Sequence, residues 1–227
     1  MVQVKKSGRL RTVTHPYNLR RMDVLSTALT VLDYAAVAVF GATGALAAAR
    51  RQHDIVTFGF FAAVTGVGGG TLRDLLLGAP VFWVARPTYI LVCVAAAAWV
   101  FVTGGRGVRY RLLLWLDAIG MATYAVVGAA KAISLHAPPT SAIVMGMLTA
   151  TFGGVIRDVL AHEPSALLQR ELYVTPALLA ATAFVLLGLA GAPIVVAGLA
   201  GIGLGFSVRA GAILWGWSLP GYRGEAP

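Results

Sequence analysis

Apolar residues run along this chain in long blocks, without the strict alternation of a half-buried strand. Seven stretches are continuously apolar over helical lengths: 25–49, 55–77, 87–103, 112–135, 141–160, 174–190 and 192–208. About 20 such residues at 1.5 Å each cross the hydrocarbon layer of a membrane. Each block is therefore predicted to be a spanning helix, and a β-barrel, which needs alternation, is disfavoured. The joints are short and turn-forming or charged: Arg50-Arg51-Gln52-His53-Asp54, Gly104-Gly105-Arg106, Ala137-Pro138-Pro139 and Gly191-Ala192-Pro193. No water-soluble domain fits between them.

Slid against itself by 84 residues without a gap, the chain lays Asp33 on Asp117, Gly44 on Gly128, Thr65 on Thr149 and Gly69-Gly70 on Gly153-Gly154. Arg73-Asp74 then falls on Arg157-Asp158, Pro80 on Pro164, Arg86 on Arg170 and Tyr89 on Tyr173. The chain thus divides into a basic tail (1–24), a first repeat (25–103), a second repeat (104–190), a seventh helix (191–209) and a C-terminal tail (210–227). Each repeat holds three helices, and an odd number makes the second copy enter from the opposite face. The halves are predicted to be inverted about an axis in the membrane plane, as in many transport proteins.

Glycines cluster near the middle of the second and fifth blocks, as Gly68, Gly69 and Gly70 in "TGVGGGTLRD" and as Gly153 and Gly154 in "TFGGVIRD". The first stretch is no phosphate loop, because no lysine follows its last glycine, and Thr71 stands where a dinucleotide fingerprint needs a glycine. Glycines at mid-span weaken a helix and let neighbouring backbone approach. A kink or break is expected at both clusters, with freed carbonyls facing protein or a water-filled cavity.

Composition confirms the environment: 58% of residues are hydrophobic, 12% are charged, and the mean hydropathy is +0.80. A soluble domain could not keep that much apolar surface from water. The formal charge of +9 resides in the tail and at segment ends. Anionic lipid and the positive-inside bias account for it, and nucleic acid is not implied. Short-loop arginines (Arg50, Arg51; Arg106, Arg109, Arg111; Arg170; Arg209, Arg223) favour a cytoplasmic C-terminus in a cell membrane, against the pull of the basic tail. That tail has about twenty polar residues before any apolar core, unlike a cleavable signal peptide. Cys93 is alone in an apolar helix and reads as an inert buried thiol. His15, His53, His136 and His162 show no metal spacing, and no serine or cysteine stands beside a base. Neither an enzyme, a metal nor a cofactor is expected.

Ionisable residues inside a span are costly and should face protein or water. Arg73, Asp74, Arg157 and Asp158 follow the glycines by three or four residues. Neighbouring helical positions point about 100° apart, so each arginine is expected to pair with Asp33, Asp117 or across the symmetry axis rather than with the aspartate beside it. Either these pairs are structural pins or they set the potential along a pore. Lys131 matches Ala47 in the first copy and reads either as a snorkelling lysine or as a gate or lipid-phosphate contact. Phe40 and Tyr124 match across the repeat and are expected to pack a core.

On "GVGGGTLRDLLLG" and "TFGGVIRDVL", each followed by a proline and then a tyrosine, the chain resembles the prokaryotic branch of the trimeric intracellular cation (TRIC) channel family, whose bacterial members are also labelled glycine transporters. The resemblance runs from Leu32 to about Arg209. It implies an all-α polytopic membrane protein: seven transmembrane helices, as two inverted three-helix repeats plus a seventh helix, with helices two and five kinked at their glycines. It also implies a homotrimer with one pore in each protomer, passing monovalent cations, chiefly potassium. Phe152 stands where the first copy has Gly68, which points to a milder break in the second repeat. The small-residue face Gly198, Gly201 and Gly205 is expected to support the trimer. A secondary transporter of glycine or a similar neutral solute is the alternative function. A structural scaffold is disfavoured by the paired mid-span glycines.

Overall fold

The computed structural model describes residues 16–103, 110–164 and 172–220. The tail 1–15, the joint Gly104-Gly105-Arg106, Arg109, Arg170 and Arg223 lie outside the described residues. Within them the chain is all-helical: α1 (Pro16–Arg50), α2 (Ile55–Leu76), α3 (Phe82–Ala85), α4 (Thr88–Val102), α5 (Tyr110–Ser134), α6 (Pro139–Leu160), α7 (Val174–Leu189) and α8 (Ile194–Trp215). Five stretches are long and apolar enough to cross a membrane: Thr30–Arg50, Ile55–Leu76, Arg111–Ser134, Pro139–Leu160 and Ile194–Trp215. The helices Thr88–Val102 and Val174–Leu189 are apolar but shorter.

Local chemistry sets the ends. Asp54 caps α2, its carboxylate accepting the Thr57 amide at 2.9 Å, and that bond holds the Asp54 carboxyl below the usual carboxylate range. Pro139 opens α6, where its missing N–H costs nothing. Gly216, at φ +65°, ends α8 in the left-handed conformation that suits glycine.

The 84-residue spacing reappears in the backbone. The ends of α1 and α5 (Arg50, Ser134) and both ends of α2 and α6 stand at that offset. So do the left-handed residues Gln52 and His136, and Gly78 and His162. The helices pack as two groups of three, α1 with α2 and α4, and α5 with α6 and α7, joined where α2 meets α6 and α1 meets α5. The final helix, α8, lies on α5 and α7. The core is built largely of alanine, with Phe40 stacked on Tyr124 at 5.3 Å as expected. Cys93 is buried and free. Large apolar side chains such as Val56, Leu91, Val102 and Leu199 point outward, the inside-out pattern that lipid permits.

Several expectations are corrected. The first helix begins at Pro16 rather than near 25, so part of the supposed tail is helical. The four-residue α3 had no counterpart in the apolar pattern. The last helix continues past 208 to Trp215, which places Arg209 inside a helix and removes it from the loop charges. Most importantly, every residue through Gly68–Gly70 and through Gly153–Gly154 is helical, so neither α2 nor α6 is interrupted there. Close packing, not interruption, is what these glycines serve. The α8 glycines are also used internally: a Cβ on Gly201 would stand 2.8 Å from the Ala180 carbonyl oxygen, and one on Gly205 2.7 Å from the Ala180 methyl. That face is covered by α7 of the same chain.

Candidate functional site

Where α2 crosses α6, each helix offers a glycine to a threonine carbonyl of the other. A Cβ on Gly69 would collide with the Thr149 oxygen, and one on Gly153 would stand 2.5 Å from the Thr65 oxygen. The two contacts are reciprocal under the 84-residue offset. A Cβ on Gly68 would stand 3.0 Å from Ile156 Cδ1, and the beds at Gly70 and Gly154 receive the Phe82 ring and the Tyr173 hydroxyl. Only glycine permits so close a crossing.

Away from this crossing, the charged residues gather in two clusters at different levels of α5. Lys131 belongs to one and Asp117 to the other, about 21 Å apart along the axis at 1.5 Å per residue. In the first cluster, the Arg73 Nε donates to Asp74 Oδ1 at 2.8 Å, with both side chains fully buried. Asp74 Oδ2 accepts the Phe82 amide at 2.9 Å and Lys131 Nζ at 3.0 Å. Asp33 Oδ2 accepts the Tyr89 hydroxyl at 2.8 Å, and the Tyr89 ring stacks on Tyr34 at 4.0 Å. Arg73 Nη1 and Nη2, Asp33 Oδ1 and, further along α2, Thr65 Oγ1 are buried without a hydrogen-bond partner.

The second cluster is better closed. Arg157 Nε donates to Asp158 Oδ1 at 2.9 Å, and its Nη1 reaches Asp117 Oδ1 at 2.8 Å and Thr43 Oγ1 at 3.2 Å. Arg209, 1% exposed, lies over the Tyr173 ring at 5.3 Å and donates to the Leu172 carbonyl at 2.8 Å.

The expected pairing is therefore half corrected. Arg157 does reach Asp117, yet both arginines also bind the adjacent aspartate. The 100° separation concerns Cβ directions. An arginine's three-carbon arm is long enough to fold its Nε back over the neighbouring carboxylate once both are confined to a dry wall. Lys131 turns its ammonium inward to Asp74, with 30% of its side chain exposed, where the snorkelling reading has the charged head directed out to water. The difference between the clusters lies in two positions of the repeat. Thr43, which completes the Arg157 shell, corresponds to Val127, which offers no acceptor, and Lys131 corresponds to Ala47. Tyr89 and Tyr173 stood in the repeat alignment and could have been found there. Thr43, Phe82 and Arg209 carried no such signal.

Long apolar helices packed in two groups around buried ion pairs define a polytopic helical membrane protein. Both halves of it match one family model, described as glycine transporter, over residues 30–104 and 114–188. The chain belongs to this family, the prokaryotic TRIC channel family. It is 36% identical over 196 residues to the inner membrane protein YadS of Escherichia coli strain K12, spanning 83% of this chain and 93% of that one. It is likewise 36% identical to a membrane protein of Vibrio cholerae, over 85% of this chain and 82% of the relative. The TRIC trimeric intracellular cation channel orthologue from Rhodobacter sphaeroides is 48% identical and superposes with a TM-score of 0.82, covering 84% of this chain and 100% of the orthologue.

Proposed function

We propose that the protein is a cation channel, a homotrimer with one pore in each protomer, passing monovalent cations and chiefly potassium. The observation that carries this reading is the set of buried polar atoms without protein partners, Asp33 Oδ1, Thr65 Oγ1 and both Nη atoms of Arg73. In a membrane-spanning bundle lipid cannot satisfy such atoms, and water or an ion in a protein-lined path can. They extend from the Arg73 cluster to the α2–α6 crossing, and the Arg157 cluster lies beyond it. The free oxygen of Asp33 is an acceptor suited to a cation. Trimeric assembly and cation passage are what the Rhodobacter sphaeroides orthologue is described as having, and identity of 48% supports their transfer.

The chain is read as seven spanning helices, with α1, α2 and α4 forming one repeat, α5, α6 and α7 an inverted second, and α8 the seventh span. The recurrence of helix ends at one offset and the reciprocal Gly69–Thr149 and Gly153–Thr65 contacts support that reading. Arg73, Asp74, Asp33 and Lys131 would line one level of the path, and Arg157, Asp158 and Asp117 the other. The protein would lie in the inner membrane with a cytoplasmic C-terminus, its basic ends against anionic lipid.

The family model's own description favours one second reading, transport of glycine or a similar small neutral solute. Purified protein in proteoliposomes separates the two. Potassium flux driven by its own gradient, without glycine counterflow, supports the channel. Saturable glycine counterflow without potassium flux overturns it.

A further inference from the structure

The link between α2 and α4 does more than turn the chain. It leaves α2 through Gly78 at φ +63° and folds back at once, Ala79 N donating to the Asp74 carbonyl at 2.9 Å. The short α3 then sends Phe82 fully inward. Phe82 is 7% exposed, whereas Val84, two residues on, is 62% exposed. The Phe82 ring enters the first charge cluster. The guanidinium of Arg73 and the ammonium of Lys131 each stand 5.7 Å from its centroid, and Tyr89, which holds Asp33, meets it edge-on at 4.7 Å. Its seat is Gly70, where a Cβ would come within 2.6 Å of Cε1. Its own amide is fixed on Asp74, and the adjacent Trp83 Nε1 donates to Thr71 Oγ1 at 2.9 Å.

We propose that Phe82 is a plug: its ring closes the path at the Arg73 cluster and is held there by cation–π contact with Arg73 and Lys131 and by the cavity that glycine leaves at position 70. The physical case rests on what surrounds the ring. A phenyl group is attracted to cations through its π face, so both cations hold it in place, while its apolar body narrows the path beside Asp33 and the unpartnered Arg73 nitrogens. Gly70 is thereby explained as a seat, a role separate from the crossing glycine Gly69. The repeat places Ala166 opposite Phe82, so the phenyl ring has no counterpart at the matching position of the second repeat. For an ion to pass, the ring must leave its seat, while the bonds of the Phe82 amide to Asp74 and of Trp83 to Thr71 anchor the backbone from which it swings.

The inference rests on the channel reading for its consequence in current but not for its effect on access. Two measurements on the full-length protein keep the two apart. With Cys93→Ala as background, Thr65→Cys is labelled by a charged, membrane-impermeant methanethiosulfonate reagent. Adding Phe82→Ala is expected to speed labelling about tenfold or more, and Phe82→Leu by less, because leucine keeps apolar bulk without the π face. Gly70→Ala, which unseats the ring without removing it, is expected to act in the same direction and serves if Phe82→Ala fails to fold. In bilayers the same variants should raise open probability several-fold. Labelling rates equal to those of the parent in variants that keep its thermal unfolding midpoint would overturn the plug. Faster labelling with no potassium current in any variant, parent included, would uphold the plug and overturn the channel.

Discussion

A methyl group added at Gly69 would run into the Thr149 carbonyl oxygen, and one at Gly153 would press on that of Thr65. Overpacking of this kind costs about 1–3 kcal/mol, so Gly69→Ala and Gly153→Ala are each expected to lower stability by that order. Gly59, on the same helix as Gly69, has nothing within 4 Å of an added Cβ. Gly59→Ala should be neutral or stabilising by up to about 1 kcal/mol through helix propensity alone. Thermal unfolding in one detergent compares the three, and equal behaviour at positions 59 and 69 would remove the crossing from the account. The carboxylates separate in a similar way. Asp117 is bonded directly to Arg157, so Asp117→Asn leaves a buried guanidinium with one carboxylate, Asp158, in place of two and should cost about 3 kcal/mol. Asp33 is bonded to the Tyr89 hydroxyl, which an asparagine oxygen can still accept. Asp33→Asn should therefore cost less, under about 2 kcal/mol, with its main effect on ion passage.

At the scale of elements, the Asp54 cap gives a pH test with a definite sign. The bond from the Thr57 amide depresses the folded carboxyl, so its contribution is present above the ordinary carboxylate range and is lost as pH falls through the folded value. The gap in melting temperature between the parent and Asp54→Ala should narrow between neutral pH and about pH 3. A constant gap would mean that the cap contributes nothing through its charge. The long helices were legible because continuous apolar character is a strong signal over twenty residues, and the repeat register located their ends. The helical start of α1 at Pro16 and the whole of α3 were not. The first lies in polar sequence without an apolar run, and the second is too short for any period to show. Arg209 was misplaced because a charge reads as a boundary, although Ala210–Trp215 resumes the apolar run behind it. The glycines were found with two roles open, of which the structure shows the close approach of neighbouring backbone and not a break. Sequence cannot tell a glycine that weakens a helix from one that admits a neighbour's backbone, since that depends on what crosses at that level.

For the whole molecule, the site was partly legible. The paired arginines and aspartates of both clusters were named from the repeat, but their bonding was not, because side-chain reach and the Thr43–Val127 and Lys131–Ala47 exchanges decide it. Self-association now rests on family membership, since α7 covers Gly201 and Gly205 of the α8 face that had suggested it. Native mass spectrometry from mild detergent is expected to give a trimer, and monomer alone across several detergents would count against it. The most direct test of the central claim is recording from the purified protein in planar bilayers under an asymmetric potassium chloride gradient. The account predicts discrete unitary currents that reverse close to the potassium equilibrium potential, and currents carried in potassium-only solutions that are altered by Asp33→Asn. Absence of unitary current, or reversal at the chloride potential, would contradict it.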